Sequence, residues 1–231
     1  MRSLSQAAPG SGGFLPVKAI GIVLALGAAA LLTQLHPAQI APDAGLVVQR
    51  LIGEAGWWLL GGAVLAWVVR GEGERLGSIG LAPLSWRAAA WGVGGFFALL
   101  ALFVAAQMLL AAIGTGSSTA AVSFAEVPSW LIVLMALRAG IVEEIIFRGY
   151  AITRLETLTG RTWLAAVASL IVFVALHAGS WSVGHLLFVT LAGGALTGLY
   201  LWHRNLTANI LAHSLFDIAG LLLAKYAAAG A

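Results

Sequence analysis

The stretch SWLIVLMALRAGIVEEIIFRGY, residues 129–150, decides the fold of this chain. It is long enough to cross a bilayer as one helix, which takes about 20 apolar residues. It nevertheless contains two basic and two acidic residues: Arg138, Glu143, Glu144 and Arg148. A charge in the hydrocarbon costs about 2.5 to 3.5 kcal/mol even on a lenient scale. The stretch therefore predicts a transmembrane helix that faces other helices and whose charged residues have partners or a chemical role.

The whole chain has the composition of a membrane protein. Of its 231 residues, 61% are hydrophobic and 9% are charged, and the mean hydropathy is +0.98. A soluble domain usually carries about a quarter charged residues. The absence of cysteine excludes disulfides and a thiolate nucleophile. The net charge of +3 comes mostly from arginines at the ends of apolar runs, and no basic run with interleaved aromatics indicates a nucleic-acid partner.

Six further apolar runs accompany the opening stretch, with turn-forming residues between them. They are Ala19 to Leu35, Leu51 to Val69, Ala88 to Ile113, Thr162 to Ala178, Ser182 to Leu201 and Leu206 to Ala224. The sequence thus predicts an all-α, polytopic transmembrane helical bundle of about seven or eight spans. We divide it into a flexible N-terminal tail (1–18), N-terminal transmembrane helices (19–128) and a C-terminal membrane core (129–226).

The basic residues are distributed unevenly between the two ends of these spans. If seven spans alternate in direction, two basic residues, Arg50 and Lys225, fall on one side. Nine fall on the other: Arg2, Lys18, Arg70, Arg75, Arg87, Arg148, Arg154, Arg161 and Arg204. Because cytoplasmic loops carry the excess of Lys and Arg, the N-terminus is predicted to be cytoplasmic. The Ala- and Gly-rich composition suggests a bacterial inner membrane.

Helical spacing predicts how the ionisable residues face each other. Glu144 and Arg148 are four residues apart, so they can pair on one helix face. Glu143 points about 100° away from Glu144 in an α-helix and is expected to be free for another task. On the last span, His213 lies four residues from both Asn209 and Asp217. The first three spans show no comparable cluster, which places the polar chemistry in the second half of the chain.

Depth in the membrane brings two of these residues together. The fourth and fifth spans are joined by a tight turn at Gly160, which lies 17 residues after Glu143 and 17 residues before His177. In an antiparallel hairpin, Glu143 and His177 therefore lie at similar depth and can meet. His213 is only about nine residues from the turn at Arg204, so it fits this depth less well.

Several interpretations of these residues remain open. Paired charges can hold a helix bundle together, and a buried histidine can be a structural hydrogen-bonding group, as we expect for His185. Asp, Glu and His in spans also mark ion relays, so a proton-coupled transporter is an alternative. A third possibility is a non-catalytic membrane scaffold or bacteriocin-immunity protein. For Glu143, His177 and His213 together, we favour an active site.

Three motifs carry a resemblance to a known family. EEIIFRG, from Glu143 to Gly149, resembles the EExxxR motif of the CAAX prenyl protease and bacteriocin-processing (CPBP) family. FVALH, from Phe173 to His177, is similar to its FxxxH motif. HSLFD, from His213 to Asp217, resembles its HxxxN motif, with aspartate in the last place. The resemblance covers roughly residues 129–223.

This resemblance implies an intramembrane endopeptidase that cleaves a prenylated or other membrane-associated protein or peptide in contact with the lipid bilayer. It implies catalytic roles for Glu143, Glu144, His177, His213 and Asp217, with Glu143 as general base. Supporting residues next to them would be Arg148, Phe173 and Asn209. A divalent metal such as zinc, if bound, would be held by Glu143, His177 and His213. Asp217 is a departure from the family, because an ionised aspartate cannot donate a hydrogen bond as asparagine does.

Overall fold

The computed structural model describes residues 14–112, 124–178 and 183–229, and all its regular elements there are helical. The α-helices are α1 (Phe14–Gln34), α2 (Pro37–Ile40), α3 (Leu46–Ala66), α4 (Trp86–Ala112), α5 (Ser129–Arg138), α6 (Thr153–Thr159), α7 (Thr162–His177), α8 (Val183–His203) and α9 (Leu206–Ala229). Shorter elements are π-helices at Trp67–Gly71 and Ala139–Ile152 and a 3₁₀ turn at Leu76–Ile79. The all-α bundle predicted from the sequence is confirmed, and each of the seven apolar runs is mainly helical over the residues that the structure describes.

Five helices in the described part of the chain are long and apolar enough to cross a membrane. They are Leu15–Gln34, Leu46–Gly71, Trp86–Ala112, Gly184–His203 and Leu206–Ala227. Of the other two runs, α7 has 16 residues, and the run that contains α5 has the four charged residues quoted above. The predicted number of seven or eight spans therefore stays a prediction, whereas the helical bundle itself is established.

The stretch 129–150 lies in one continuous helix, residues 129–159, whose middle is a π-helix, Ala139–Ile152, here called the π segment. In a π-helix each N–H reaches the fifth carbonyl back, so the turn is wider than in the α-helix assumed above. Most of the segment is buried, including Glu144, Phe147 and Arg148. The Ser169 hydroxyl of α7 donates to the Phe147 carbonyl at 2.8 Å, which satisfies part of this buried backbone from a neighbouring helix.

Gly140 allows the π segment to lie directly against α9. A Cβ added at Gly140 would lie 2.6 Å from the Ser214 backbone nitrogen and 2.8 Å from the Ser214 Cα. Ser214 follows His213, so this close approach fixes the distance between the two elements that carry Glu144 and His213. Only glycine leaves room for it.

One end of the bundle gathers the basic residues and is here called the basic end. Its members in the described ranges are Lys18, Arg70, Arg75, Arg87, Arg154, Arg161 and Arg204. There Arg154 Nη2 pairs with Glu72 Oε2 at 2.7 Å, and Lys18 pairs with Glu74 at 3.0 Å. The opposite end, here called the Arg50 end, contains α2, the beginning of α3 and the end of α7. Lys225 also belongs to it, because its ammonium donates to the Val127 carbonyl at 2.6 Å and Val127 packs with Val47.

Replacing Gly140 with alanine is expected to lower the stability of the protein by about 1 to 3 kcal/mol, because the new methyl group would overlap backbone that cannot move independently. Gly62→Ala in α3 is the matched control, because an added Cβ there meets nothing within 4 Å. That control should leave stability unchanged or raise it by up to about 1 kcal/mol. Thermal unfolding of both variants in detergent measures the difference. Equal midpoints would show that the close approach at Gly140 does not constrain the bundle.

Candidate active site

The Glu144 carboxylate is completely buried, and both of its oxygens have hydrogen-bond partners. Its Oε1 lies 2.8 Å from Arg148 Nη1 and 2.9 Å from His213 Nδ1, and its Oε2 accepts from Asn209 Nδ2 at 3.1 Å. None of its surface is exposed. A carboxylate can only accept hydrogen bonds, so His213 must carry its proton on Nδ1. The predicted Glu144–Arg148 pair is confirmed, and the contact with His213 joins the π segment to α9.

Arg148 extends this network to two further helices. Its Nη2 donates to the Gly193 carbonyl of α8 at 3.1 Å, and its guanidinium lies 4.4 Å from the centre of the Phe173 ring on α7. Asn209 donates a second hydrogen bond, to the Leu196 carbonyl, at 2.7 Å. The structure thus places Arg148, Phe173 and Asn209 around Glu144, as supporting residues rather than at an accessible surface.

His213 lies between two carboxylates. Its Nδ1 faces Glu144, and its Nε2 is 3.4 Å from Asp217 Oδ2, one turn further along α9. An imidazole can serve both carboxylates as a donor only when both nitrogens are protonated. The Asp217 side chain keeps 24% of its surface exposed, whereas His213 keeps 10%. This geometry fits a role for Asp217 in orienting His213.

Glu143 is not free, and the sequence-based expectation on this point is wrong. Its Oε1 accepts from Arg138 Nη1 at 3.0 Å. The same guanidinium holds Glu54 of α3 in a fork, with Nε to Oε2 at 3.0 Å and Nη2 to Oε1 at 3.3 Å. Arg138 therefore lies between two carboxylates, and it also lies 5.4 Å from the centre of the Trp57 ring.

Glu54 shows that the polar chemistry is not confined to the second half of the chain. Its side chain is 8% exposed and comes from the third helix, far from the motifs in sequence. The signal was present, because Glu54 is an ionisable residue inside a predicted apolar span, and the cost of burying it requires a partner. Glu54 and Arg138 are far apart in the sequence, so helical spacing could not predict that they pair.

Glu143 and His177 line one open cleft of about 610 Å³ at the Arg50 end. The cleft is bounded by α1, α2 and the first half of α3, and by α5, the π segment and the end of α7. Arg138 and Glu54 line it too, and most of the remaining lining is apolar. His177 Nδ1 lies 2.7 Å from the Phe173 carbonyl, so Nδ1 is the protonated nitrogen and Nε2 keeps its lone pair.

The structure brings Glu143 and His177 to this cleft, whereas His213 contacts Glu144 and is not among the lining residues. The two groups are near enough for their charges to interact. His185 of α8 interacts with both His177 and Asp217, and Arg138 interacts with both Glu143 and Asp217. His185 was expected to be structural, and its interactions with the charges of His177 and Asp217 make it part of the same polar region.

The three residues that would hold a metal do not fit one in this arrangement. His213 directs both ring nitrogens at carboxylates, Glu143 accepts from Arg138, and His177 commits Nδ1 to its own helix. Within residues 14–112, 124–178 and 183–229, no three His, Asp or Glu side chains converge as a metal ion requires. We therefore derive no step through a metal ion.

A comparison with protein families agrees with the motifs. Residues 125–219 match the family model described as type II CAAX prenyl endopeptidase Rce1-like, and this range contains all three motifs. No curated protein and no solved structure matches the chain significantly. The match, together with five helices able to cross a bilayer, identifies an integral membrane protein. It confirms the resemblance to the CPBP family over residues 125–219, the part of the chain that is similar to type II CAAX prenyl endopeptidases.

Proposed function

We propose that this protein is an intramembrane endopeptidase that hydrolyses a peptide bond in a membrane-associated polypeptide with a glutamate-activated water. One observation carries the proposal: Glu143 and His177, from two helices and two motifs, line the same open cleft. Of the two neighbouring glutamates, Glu143 reaches this cleft, whereas Glu144 is enclosed and fully hydrogen-bonded. Glu143 is therefore the general base, and Glu144 is a positioning residue.

The first step is the activation of water between Glu143 and His177. Glu143 has one oxygen bound by Arg138, and its other oxygen is available to take a proton from water. The lone pair on His177 Nε2 can accept a second hydrogen bond from the same water and orient it. The hydroxide then attacks the carbonyl carbon of the scissile peptide bond. The proton held by Glu143 passes to the leaving nitrogen, so water is added across the bond.

The tetrahedral intermediate carries a negative charge on the former carbonyl oxygen, and His213 is the donor proposed to stabilise it, although it contacts Glu144 and does not itself line the cleft. His213 is held by Glu144 at 2.9 Å through Nδ1, whereas the contact of Nε2 with Asp217 is longer, at 3.4 Å. A pre-oriented donor in a site of low dielectric constant stabilises an oxyanion more than the same donor does in water. The Asp217 carboxylate would favour the protonated imidazole of His213 and hold its orientation. Asp217 would then have a role even though an ionised carboxylate cannot donate a hydrogen bond.

Glu143→Gln is the direct test of the general base. Glutamine has a similar shape but cannot take a proton, so hydrolysis should fall by about 10² to 10⁴-fold. The measurement uses purified protein in liposomes with two quenched fluorescent peptides, one prenylated and one anchored by an apolar helix. Glu126→Gln, at an exposed position, controls for the loss of one carboxylate. Equal activity of both variants would refute the proposed base, and a transporter or scaffold would then be the better interpretation.

Glu54→Ala should reduce hydrolysis by roughly ten- to a hundredfold without removing any motif residue. Arg138 would lose its fork to α3, and small displacements of a group next to the base have effects of this size. Glu54→Gln keeps one acceptor and should restore part of the activity. Glu74→Gln, at the basic end, is the control because Glu74 pairs with Lys18, far from the cleft. If Glu54→Ala retains full activity in correctly folded protein, Arg138 does not position Glu143.

Asp217→Asn distinguishes an aspartate that orients His213 from one that helps to bind zinc. If Asp217 orients His213, asparagine should preserve hydrolysis within about tenfold, since its side-chain oxygen still accepts from Nε2. Asp217→Ala should lose more. Metal analysis of the parent and the asparagine variant should find no stoichiometric zinc. Stoichiometric zinc in the parent that disappears with Asp217→Asn would instead establish a metal site that includes this aspartate.

A further inference from the structure

Arg138 is the cation that lies next to the proposed base in the cleft. Its side chain lines the cleft and is 14% exposed, and its Nη1 donates to Glu143 Oε1 at 3.0 Å. Arg148 and His213 are not among the lining residues. Arg50 also lines the cleft, but the salt bridge to Glu143 comes from Arg138. Arg138 is therefore well placed to contact a peptide group that is bound beside Glu143.

Glu54 fixes the orientation of this guanidinium. Nε donates to Glu54 Oε2 at 3.0 Å, and Nη2 donates to Glu54 Oε1 at 3.3 Å. The guanidinium carbon also lies 5.4 Å from the centre of the Trp57 ring. A two-point contact with a carboxylate defines the plane of a guanidinium, which one hydrogen bond does not do. Because Glu54 belongs to α3, the orientation of Arg138 does not depend on Glu143 alone.

The guanidinium keeps donors for a further acceptor. Arginine has five N–H groups in a fixed planar arrangement. Within residues 14–112, 124–178 and 183–229, the hydrogen bonds to Glu54 and Glu143 use three of them. One N–H on Nη1 and one on Nη2 remain, next to the carboxylate that is proposed to activate water. These are the donors available to the carbonyl oxygen of a bound peptide.

We propose that Arg138 is a further catalytic residue, which donates a hydrogen bond to the oxyanion of the tetrahedral intermediate. This inference rests on the proposed function. As the water oxygen bonds to the carbonyl carbon, the electron pair of the C=O π bond moves to the carbonyl oxygen, and one water proton moves to Glu143. When the intermediate collapses, the C=O bond forms again, the C–N bond breaks and the nitrogen takes the proton from Glu143. Arg138 keeps all its protons throughout.

The charge of Arg138 has different partners before and after the attack. In the resting site the guanidinium lies between two carboxylates, Glu54 and Glu143. Glu143 becomes neutral when it takes the proton, so the oxyanion replaces it as the second anion beside Arg138. An interaction that is stronger in the transition state than with the bound substrate lowers the barrier, whereas one of equal strength in both does not. Arg138 therefore stabilises the intermediate more than it stabilises the bound peptide.

The test separates donation to the oxyanion from the positioning of Glu143. It uses Glu143→Gln protein in liposomes, in which the base is already absent, and two ligands built on the peptide that the parent hydrolyses. One ligand is the intact peptide, and the other carries a phosphinate, a stable tetrahedral anion, in place of the scissile bond. The two dissociation constants are measured by fluorescence with EDTA present, so that no metal ion binds the phosphinate.

Adding Arg138→Gln should weaken phosphinate binding by about 10² to 10³-fold, as the loss of one oxyanion donor does. Binding of the intact peptide should change by less than roughly tenfold, because its carbonyl oxygen is uncharged. If Arg138→Gln fails to fold, adding Glu54→Gln as well removes the unpaired carboxylate and keeps the comparison possible. Arg204→Gln is the control, because it breaks a similar two-point contact with Glu156 at the basic end and should change neither constant.

An equal loss for both ligands, or no loss for either, would overturn the role of Arg138 and leave the proposed base intact. With Glu143 present, Arg138→Lys should lower kcat by about tenfold or more with little change in KM, because an ammonium keeps the charge but not the planar fork. An unchanged kcat would also contradict the proposal. Hydrolysis that Glu143→Gln does not reduce would overturn the proposed function and, with it, the assignment of Arg138.

Discussion

The buried Glu144 carboxylate is the interaction on which the rest of this structure depends. It has no exposed surface, and its partners Arg148, His213 and Asn209 come from its own helix and from α9. Arg148 then reaches α8 through the Gly193 carbonyl. Removing one partner of a buried pair typically costs about 3 to 5 kcal/mol, because the other charge is left uncompensated. Because the buried Glu144 carboxylate needs these partners, it fixes how the helices pack against each other. Gly140 supplies the space that this packing needs.

Enclosing Glu144 also determines what its neighbour can do. Adjacent residues on a helix point in different directions, so when one glutamate is directed between helices the other faces another surface. Here that surface is the cleft, where Glu143 meets Arg138 and His177. Glu144 thus has the structural role, and Glu143 has the proposed catalytic role. Arg148 pairs with Glu144 of its own helix, whereas Arg138 also pairs with Glu54 and so connects the site to α3.

Local patterns in the sequence predicted what local geometry determines. The seven helices followed from apolar runs, and the Glu144–Arg148 and His213–Asp217 contacts followed from four-residue spacing. The equal distance of Glu143 and His177 from Gly160 predicted that they share a depth, and both do line one cleft. Other features depend on tertiary contacts: the π-helix, the Glu144–His213 bond and the Glu54–Arg138 fork join elements distant in sequence. The sequence therefore predicted the helices better than their mutual rotation.

The charges of the site explain how so many ionisable groups can lie within a membrane bundle. Arg138 lies between Glu54 and Glu143, and His213 lies between Glu144 and Asp217, while Arg148 completes the Glu144 shell. With His213 protonated, four carboxylates face three cations, which leaves one net negative charge. A nearly neutral cluster of hydrogen-bonded charges is far less costly in an apolar medium than isolated ions. In the proposed reaction Glu143 takes a proton as the oxyanion forms, so the single negative charge moves onto the substrate while the total is unchanged. Of the three cations, Arg138 lines the cleft and contacts Glu143, so its charge is already in place next to the intermediate. This part of the site needs no reorganisation at the step where reorganisation would be most costly.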